Sequence, residues 1–272
     1  MSVRLLNIGC GKSFHPAWVN ADVRPRPGVV GVDARERLPF VDGEFDVVYH
    51  SHMLEHLGRE EGEQFLRECY RVLAPSGMLR VVVPDFGNIV DEYELLRKQM
   101  KNDPDAATYK KIKWLFIELT DQFARDSTGG DMARYLRGKV ESSQHEFLER
   151  RVGYLPAADD SITLKRKRRV SPRRLIKGVR LTKLREHLIM RLLGPDDYRA
   201  LCVGRFRASG EVHRWLFDHQ TLKWVLEEVG FGTVRSQGPE SSDIPGWGEY
   251  RLDVGDDGRP RKPSSLYIEA RK

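Results

Sequence analysis

Residues 4–12 read RLLNIGCGK, an apolar run that stops on Gly9-Cys10-Gly11. A buried strand ending in glycines brings a bare backbone to a ligand, because no Cβ intervenes and φ is unrestricted. The same pattern also describes an ordinary tight turn, so the elements that follow decide its meaning.

Outward from that run, AWVNADVRP reads as a second short strand ending on Asp22, and Val29 to Glu36 as a third that carries Asp33 near its end. The turn Asp42-Gly43 precedes a fourth strand, Phe45 to Tyr49. Almost no room is left for helices between the first three strands. From Glu60 the period becomes helical, with Phe65, Leu66, Cys69, Val72 and Leu73 at three- and four-residue spacing and Pro75-Ser76-Gly77 as the stop. A fifth strand, Met78 to Val83, ends on Pro84-Asp85. Strand, helix, strand with continuous apolar runs predicts a parallel sheet covered on both faces.

Residues 88 to about 151 are helical in pattern with a loop at Ser127-Thr128-Gly129-Gly130, and Trp114, Phe116 and Phe123 are the expected core of this lobe. Residues 152–171 read as an extended charged connection. Ser171 and Pro172 then open a helix that Gly194-Pro195 ends. Its later half, LREHLIMRLL, is apolar nearly all round and is expected to pack against something. The chain closes with a helix stopped by Gly230, a strand, a polar loop over 241–262 and a last strand, SLYIEARK.

A chain of 272 residues with 40% hydrophobic content fits one large domain or a domain with an inserted lobe. Three cysteines without a C-x-x-C pair indicate neither a disulfide framework nor a zinc knuckle, and point to a reducing compartment. With no charged-then-apolar leader and no apolar run of membrane-spanning length, a soluble cytoplasmic protein is expected. The net charge of +6 is concentrated: residues 165–191 hold twelve Lys or Arg against one acid, and the rest of the chain is net −5. That basic stretch is either a solvated or partner-facing surface, or a helix whose Leu175, Ile176 and Val179 dip into an anionic bilayer while arginines hold headgroups. The second reading places the protein peripherally at the inner membrane face.

Taken together, LLNIGCGK, the strand ends at Asp22 and Asp33, LPFVDGEFDVVYHSHMLEHL, ECYRVLAPSGMLRVVVPD and LKWVLEEVGFGTV resemble the class I S-adenosylmethionine (SAM)-dependent methyltransferases of the type 11 kind. Closer still is the likeness to bacterial members associated with polysaccharide and cell-surface glycan synthesis. The resemblance covers 4–85 and 213–270, and for 88–212 only the general type is similar. It implies a Rossmann-like α/β fold, a seven-stranded, mostly parallel sheet with the last strand antiparallel. In this chain the first crossovers are abbreviated and a helical insertion follows the fifth strand. The core would be 1–87 with 213–272, and 88–212 an insertion or lid carrying the basic amphipathic helix near 172–193.

The implied cofactor is SAM. Asn7, Gly9, Cys10 and Gly11 would meet its methionine part, with His50, Ser51 and His52 at the end of the fourth strand. Asp22, with Val23, would accept from the ribose hydroxyls, and Asp33 and Ala34 would lie near the adenine. Asp22 follows Gly11 by only eleven residues, so Lys12 to Trp18 must shape the cofactor loop in place of a helix start.

Methyl transfer to a hydroxyl needs alignment in a dry site and a group to take the proton. His52 and His56 are one helical turn apart and could share a face. His52 is a candidate base, and His56 fits packing within the fold as well as catalysis. Asp85 is a base, a substrate ligand or a helix cap. His145, in SSQHEFLERR, either reaches the acceptor from the lid or sits in an exposed loop, and His213 lies beside it. The H-x-x-x-H spacing lacks an acidic third ligand, so no metal is expected. For nucleic acid, the fourth strand ends in YHSH instead of a proline pair with an aromatic, no Pro-Cys nucleophile is present, and the basic run has no aromatic interleaving. O-methylation of a saccharide, glycolipid or related small molecule is the leading expectation. The alternatives are methylation of a structured RNA and SAM binding without turnover.

Overall fold

A computed structural model describes residues 3–138, 140–153 and 184–272. Its strands are β1 (Leu5–Ile8), β2 (Val19–Asp22), β3 (Val30–Gly31), β4 (Phe45–Ser51), β5 (Leu73–Pro84), β6 (Gly232–Gln237) and β7 (Ser265–Arg271). They form one sheet in the order β3-β2-β1-β4-β5-β7-β6. The first five run parallel, and β7 is antiparallel to both β5 and β6. This is the Rossmann-like, seven-stranded arrangement expected above. Strand order reverses at β1, which lies between β2 and β4, so the carboxyl end of β1 opens into the crevice where such sheets bind ligands.

Helix α1 (Arg59–Val72) carries the chain from β4 to β5. Its Phe65, Leu66, Cys69 and Val72 are buried in one core with Leu6, Ile8, Val48 and Val81 of the sheet. Leu222 and Leu226 of α8 (His219–Val229) complete that face. Each such side chain contributes about 1.5–3 kcal/mol on full burial. Asp218 caps α8 by accepting from the N–H of Thr221, and Gly230 ends it at φ +115°.

The opposite face is closed differently. Between β1 and β2, and between β2 and β3, there is no helix. Trp18 from the first crossover and Ile244, Trp247 and Leu252 from the loop before β7 pack instead on Leu5, Val47, Tyr49 and Val82. The short helix α9 (Trp247–Tyr250) lies within that loop. A polar-looking stretch therefore supplies the second layer.

Three expectations about element limits are corrected. The third strand is confined to Val30–Gly31, because both residues are exposed at the sheet edge and pair only with Ala21 and Asp22. The fourth extends to Ser51, carrying the YHS segment into the sheet. The helix ends at Val72, and Leu73 already pairs with Phe45; Pro75-Ser76-Gly77 forms a bulge inside β5, with Ser76 at φ +65°.

After β5 come α2 (Phe86–Asn102), α3 (Ala106–Ala124), α4 (Gly130–Arg137) and α5 (Ser142–Val152). Leu96, Trp114, Leu115, Phe147 and Leu148 make a core of their own. Phe116 is exposed, so it is not part of that core, and Phe123 turns toward His213. Arg151 and Glu118 form a buried ion pair at 2.8 Å that also receives the Trp114 indole N–H. The Asp121 carboxylate accepts from the N–H groups of Asp131 and Met132, fixing the start of α4.

Residues 184–193 are helical (α6) and α7 (Pro195–Arg207) follows. Leu184, Leu188, Leu192 and Leu193 are exposed among the described residues, contrary to the packing expected of LREHLIMRLL. The expected extended connection, the helix start at Ser171-Pro172 and most of the basic stretch fall in 154–183, outside the described residues. Among the described residues, no helix is long and apolar enough to cross a membrane.

Candidate functional site

The loop after β1 is held by side chains that do the work of the missing helix. The Asn7 amide donates to Asn20 Oδ1 and to the Ser13 carbonyl, both at 3.1 Å. The Asn20 amide in turn donates to the carbonyls of His15 and Trp18. Asn7 and Asn20 sit opposite each other in the β1–β2 register, so the short crossover is tied down by one buried amide pair. Gly9 and Gly11 adopt φ +68° and +48°. A Cβ on Gly9 would meet Met53 Cγ at 2.6 Å, whereas beside Gly11 the nearest atom would be a carbonyl oxygen 4.0 Å away. The Gly11 N–H donates to Asp22 Oδ2 and the Arg24 N–H to Oδ1, each at 2.9 Å. Each carboxylate oxygen retains a second lone pair.

A cavity of about 220 Å³ opens at the carboxyl ends of β1 and β4, lined by Gly9, Cys10, Gly11, Tyr49, Ser51, His52 and, from the far end of the chain, Asp253, Lys262 and Tyr267. Its floor is fixed by a buried polar network. Arg80, fully buried, pairs with Asp253 and Glu269 at 2.8 Å and lies 4.3 Å from the centre of the Trp247 ring. The Tyr49 hydroxyl donates to Asp253 at 2.6 Å. Burial raises the Asp253 carboxyl, opposed by Arg80, and raises the Tyr49 hydroxyl well above its ordinary range. Burial, helped by Asp22, also raises the Cys10 thiol, which favours its protonated form.

His52 forms one wall. Its φ of +50° is unusual for a residue with a Cβ, and its Nε2 lies 2.9 Å from Ser265 Oγ. Its Nδ1 approaches Glu55 Oε1 at 3.2 Å, off the line of a hydrogen bond. Behind it, Leu54–His56 make a single 3-10 turn that aims Glu55 inward. The His56 and His213 rings meet edge to face at 4.8 Å, and His213 Nε2 lies 3.9 Å from Glu55 Oε1. Burial works to raise the Glu55 carboxyl, but the three imidazoles, His52 foremost, outweigh it and hold the pKa down to about 2. Burial lowers His213 to about 4 against the pull of Glu55.

The remaining residues singled out in the sequence are dispersed. Strand alternation turns His50 away from the cavity into the core, where its ring meets Phe65 edge to face and burial lowers its pKa to about 4. Asp33 is gripped by Arg35, whose hydrogen bond lowers the Asp33 pKa; Ala34 packs against the core, and Val23 is exposed. Asp85 caps α2, accepting from the Asn88 N–H at 3.1 Å. His145 is exposed on α5, away from the cavity lining. Conversely, Asp253, Lys262 and Tyr267 line the cavity but belong to no motif in the sequence. For Asp253 and Lys262 the one signal is the length of the 241–262 loop, since long loops in compact domains are commonly functional, and Tyr267 lies in β7 with no signal of its own.

Residues 17–81, from just before β2 into β5, match the family model described as a methyltransferase domain. A protein of Mycolicibacterium smegmatis (strain ATCC 700084 / mc(2)155), named "Probable S-adenosylmethionine-dependent methyltransferase", is 31% identical over 102 residues, covering 30% of this chain and 38% of that protein. The chain thus matches well under half of that relative's length. Among solved structures, a SAM-dependent methyltransferase from Archaeoglobus fulgidus aligns with 99% of this chain and 86% of its own at 14% identity and a TM-score of 0.41. A Burkholderia thailandensis 1,6-didemethyltoxoflavin-N1-methyltransferase, solved with bound 1,6-didemethyltoxoflavin and S-adenosylhomocysteine (SAH), aligns with 30% of this chain and 44% of its own at 16% identity and a TM-score of 0.26.

Proposed function

We propose that the chain is a SAM-dependent methyltransferase that acts on a hydroxyl group, that of a saccharide, glycolipid or related small molecule. The observation that carries the cofactor reading is the coupling of the glycine loop to Asp22 at the point where strand order reverses. The match of residues 17–81 to a methyltransferase domain supports it. Asn7, Gly9, Cys10, Gly11 and Ser51 would hold the methionine part, and Asp22, with a free lone pair on each oxygen, the ribose hydroxyls. Asp33 and Ala34 lie at the start of the next crossover, on the adenine side of this arrangement. When bound, SAM supplies a methyl group on a sulfonium.

What this chain supplies is position, dryness and a proton acceptor. Tyr49, Tyr267 and, from the loop before β7, Leu252 and Asp253 form the wall facing the glycine loop, and with a ligand in place they would limit the water reaching the end of β4. His52, with Nδ1 facing Glu55, would take a hydroxyl proton at Nε2 by way of Ser265, whose hydroxyl lies 2.9 Å away and would pass on its own proton as it receives that of the acceptor. The reading is tested by SAH titration followed by transfer of tritiated methyl from SAM into fractionated extract. Label in glycan or glycolipid supports it, label in RNA replaces the acceptor class, and SAH binding without any labelled product replaces catalysis with binding alone.

A further inference from the structure

We propose that Glu55, His56 and His213 form a binding site for a divalent transition-metal ion of the zinc class. One donor atom from each lies within 4.8 Å of the others. The fold brings His213 to the adjacent Glu55 and His56 from far along the chain, which the H-x-x-x-H spacing alone does not reveal. A second observation points to a ligand: Glu55 is buried, and neither carboxylate oxygen has a hydrogen-bond partner. Apart from the off-line approach of His52 Nδ1 to Oε1, the buried carboxylate is met only by the rings of His56 and His213, and a cation held among the three side chains would satisfy it. His213 Nδ1 is likewise buried without a partner.

The surroundings have the character of a prepared site. His56 Nδ1 lies 3.4 Å from the Val212 carbonyl; protonated there, it leaves Nε2 as the ligand, the arrangement by which metal-bound imidazoles are oriented. The Glu55 carbonyl accepts from the N–H groups of Arg214 at 2.7 Å and Trp215 at 3.3 Å, and the His213 N–H donates to the Gln122 carbonyl at 2.9 Å. The segment carrying His213 is therefore pinned to the turn carrying Glu55 and His56. Two imidazoles and a carboxylate suit zinc and its neighbours, and three protein ligands leave a position open. With metal–ligand bonds near 2.0–2.2 Å, the donors need to close by about 1 Å, within reach of side-chain rotation. His52 stands between this cluster and the cavity.

The site shares Glu55 with the arrangement proposed for His52, and its test reads metal alone, so either reading can fail without the other. Tag-free full-length protein, stripped with EDTA, is titrated with ZnCl2 by calorimetry, and metal is counted by mass spectrometry after dialysis. His56→Ala and His213→Ala are measured alongside, with circular dichroism to verify their folding. Retention of one equivalent of zinc by the wild type, weakened at least about ten-fold in folded variants, is the expected result. Absence of zinc binding by the wild type overturns the proposal, as does undiminished binding by both folded variants. If neither variant folds, Co2+ loading of the wild type decides: visible bands of imidazole-ligated cobalt support the site, and the spectrum of hexa-aqua cobalt overturns it.

Discussion

The backbone N–H of Gly11 donates to Asp22 Oδ2 at 2.9 Å, tying the loop after β1 to the end of β2. One carboxylate thus shapes the glycine loop while keeping lone pairs for a ligand. Asp22→Ala removes both functions. The SAH dissociation constant is expected to rise at least about ten-fold, or ~1.4 kcal/mol, by calorimetry. Unchanged affinity would rule out a ribose role for Asp22.

Gly9 and Gly11 should respond unequally to alanine. Both have positive φ, which costs an L-residue roughly 1–2 kcal/mol. Only at Gly9 does the added Cβ strike a side chain, Met53 Cγ at 2.6 Å. Gly9→Ala is therefore expected to lose about 2–3 kcal/mol of stability and Gly11→Ala about 1. Urea denaturation of the two variants gives the comparison, and equal losses would contradict it.

Arg80 holds two buried carboxylates, Asp253 and Glu269, and spans the sheet to the loop before β7. Arg80→Met keeps the bulk of the side chain and strands both acids. A loss of about 3–5 kcal/mol is expected, read from the denaturation midpoint. Because Asp253 also lines the cavity, SAH affinity should fall in the same variant; a stable variant with intact binding would show the network to be dispensable.

Acid sensitivity should reside partly in Glu68. Its carboxylate accepts from Arg71 and from the Leu38 N–H, and the Arg71 hydrogen bond holds its pKa below the ordinary 4.5. A depressed carboxyl contributes stability that is fully present above the unfolded value and is lost as pH falls through the folded one. Wild-type stability should therefore decline below about pH 4.5, while Glu68→Gln should be less stable at neutral pH with a shallower decline. Parallel pH profiles of the two proteins would refute the assignment.

How far the sequence carries depends on whether the deciding contacts are local. β1, α1 and β7 are legible because Leu5–Ile8, Phe65–Val72 and Leu266–Ile268 bear their burial in their own periodicity. β3 is overread because Val29, Val30 and Val32 look like a strand whether or not a neighbour pairs with them, and at this edge only two residues do. Asp85 as a cap is legible from the helix that follows it. His213 beside Glu55, and Asp253 beneath Tyr49, are not: each pair is joined across most of the chain by the closing of the sheet, and no local pattern encodes the approach.

His52 separates two roles that the sequence leaves joined, proton acceptor and cofactor contact. Its Nε2 lies 2.9 Å from Ser265 Oγ, its Nδ1 faces Glu55, and the residue lines the cavity. If it takes the acceptor proton, His52→Ala lowers kcat by about 10²–10⁴-fold and leaves SAH affinity within about two-fold, because the glycine loop and Asp22 are untouched. If it serves the cofactor, affinity falls and kcat at saturating SAM is kept. Turnover of tritiated SAM alongside SAH calorimetry distinguishes the two. The first pattern is expected, since His52 approaches Ser265 and Glu55 and its removal leaves the Gly11–Asp22 contact in place.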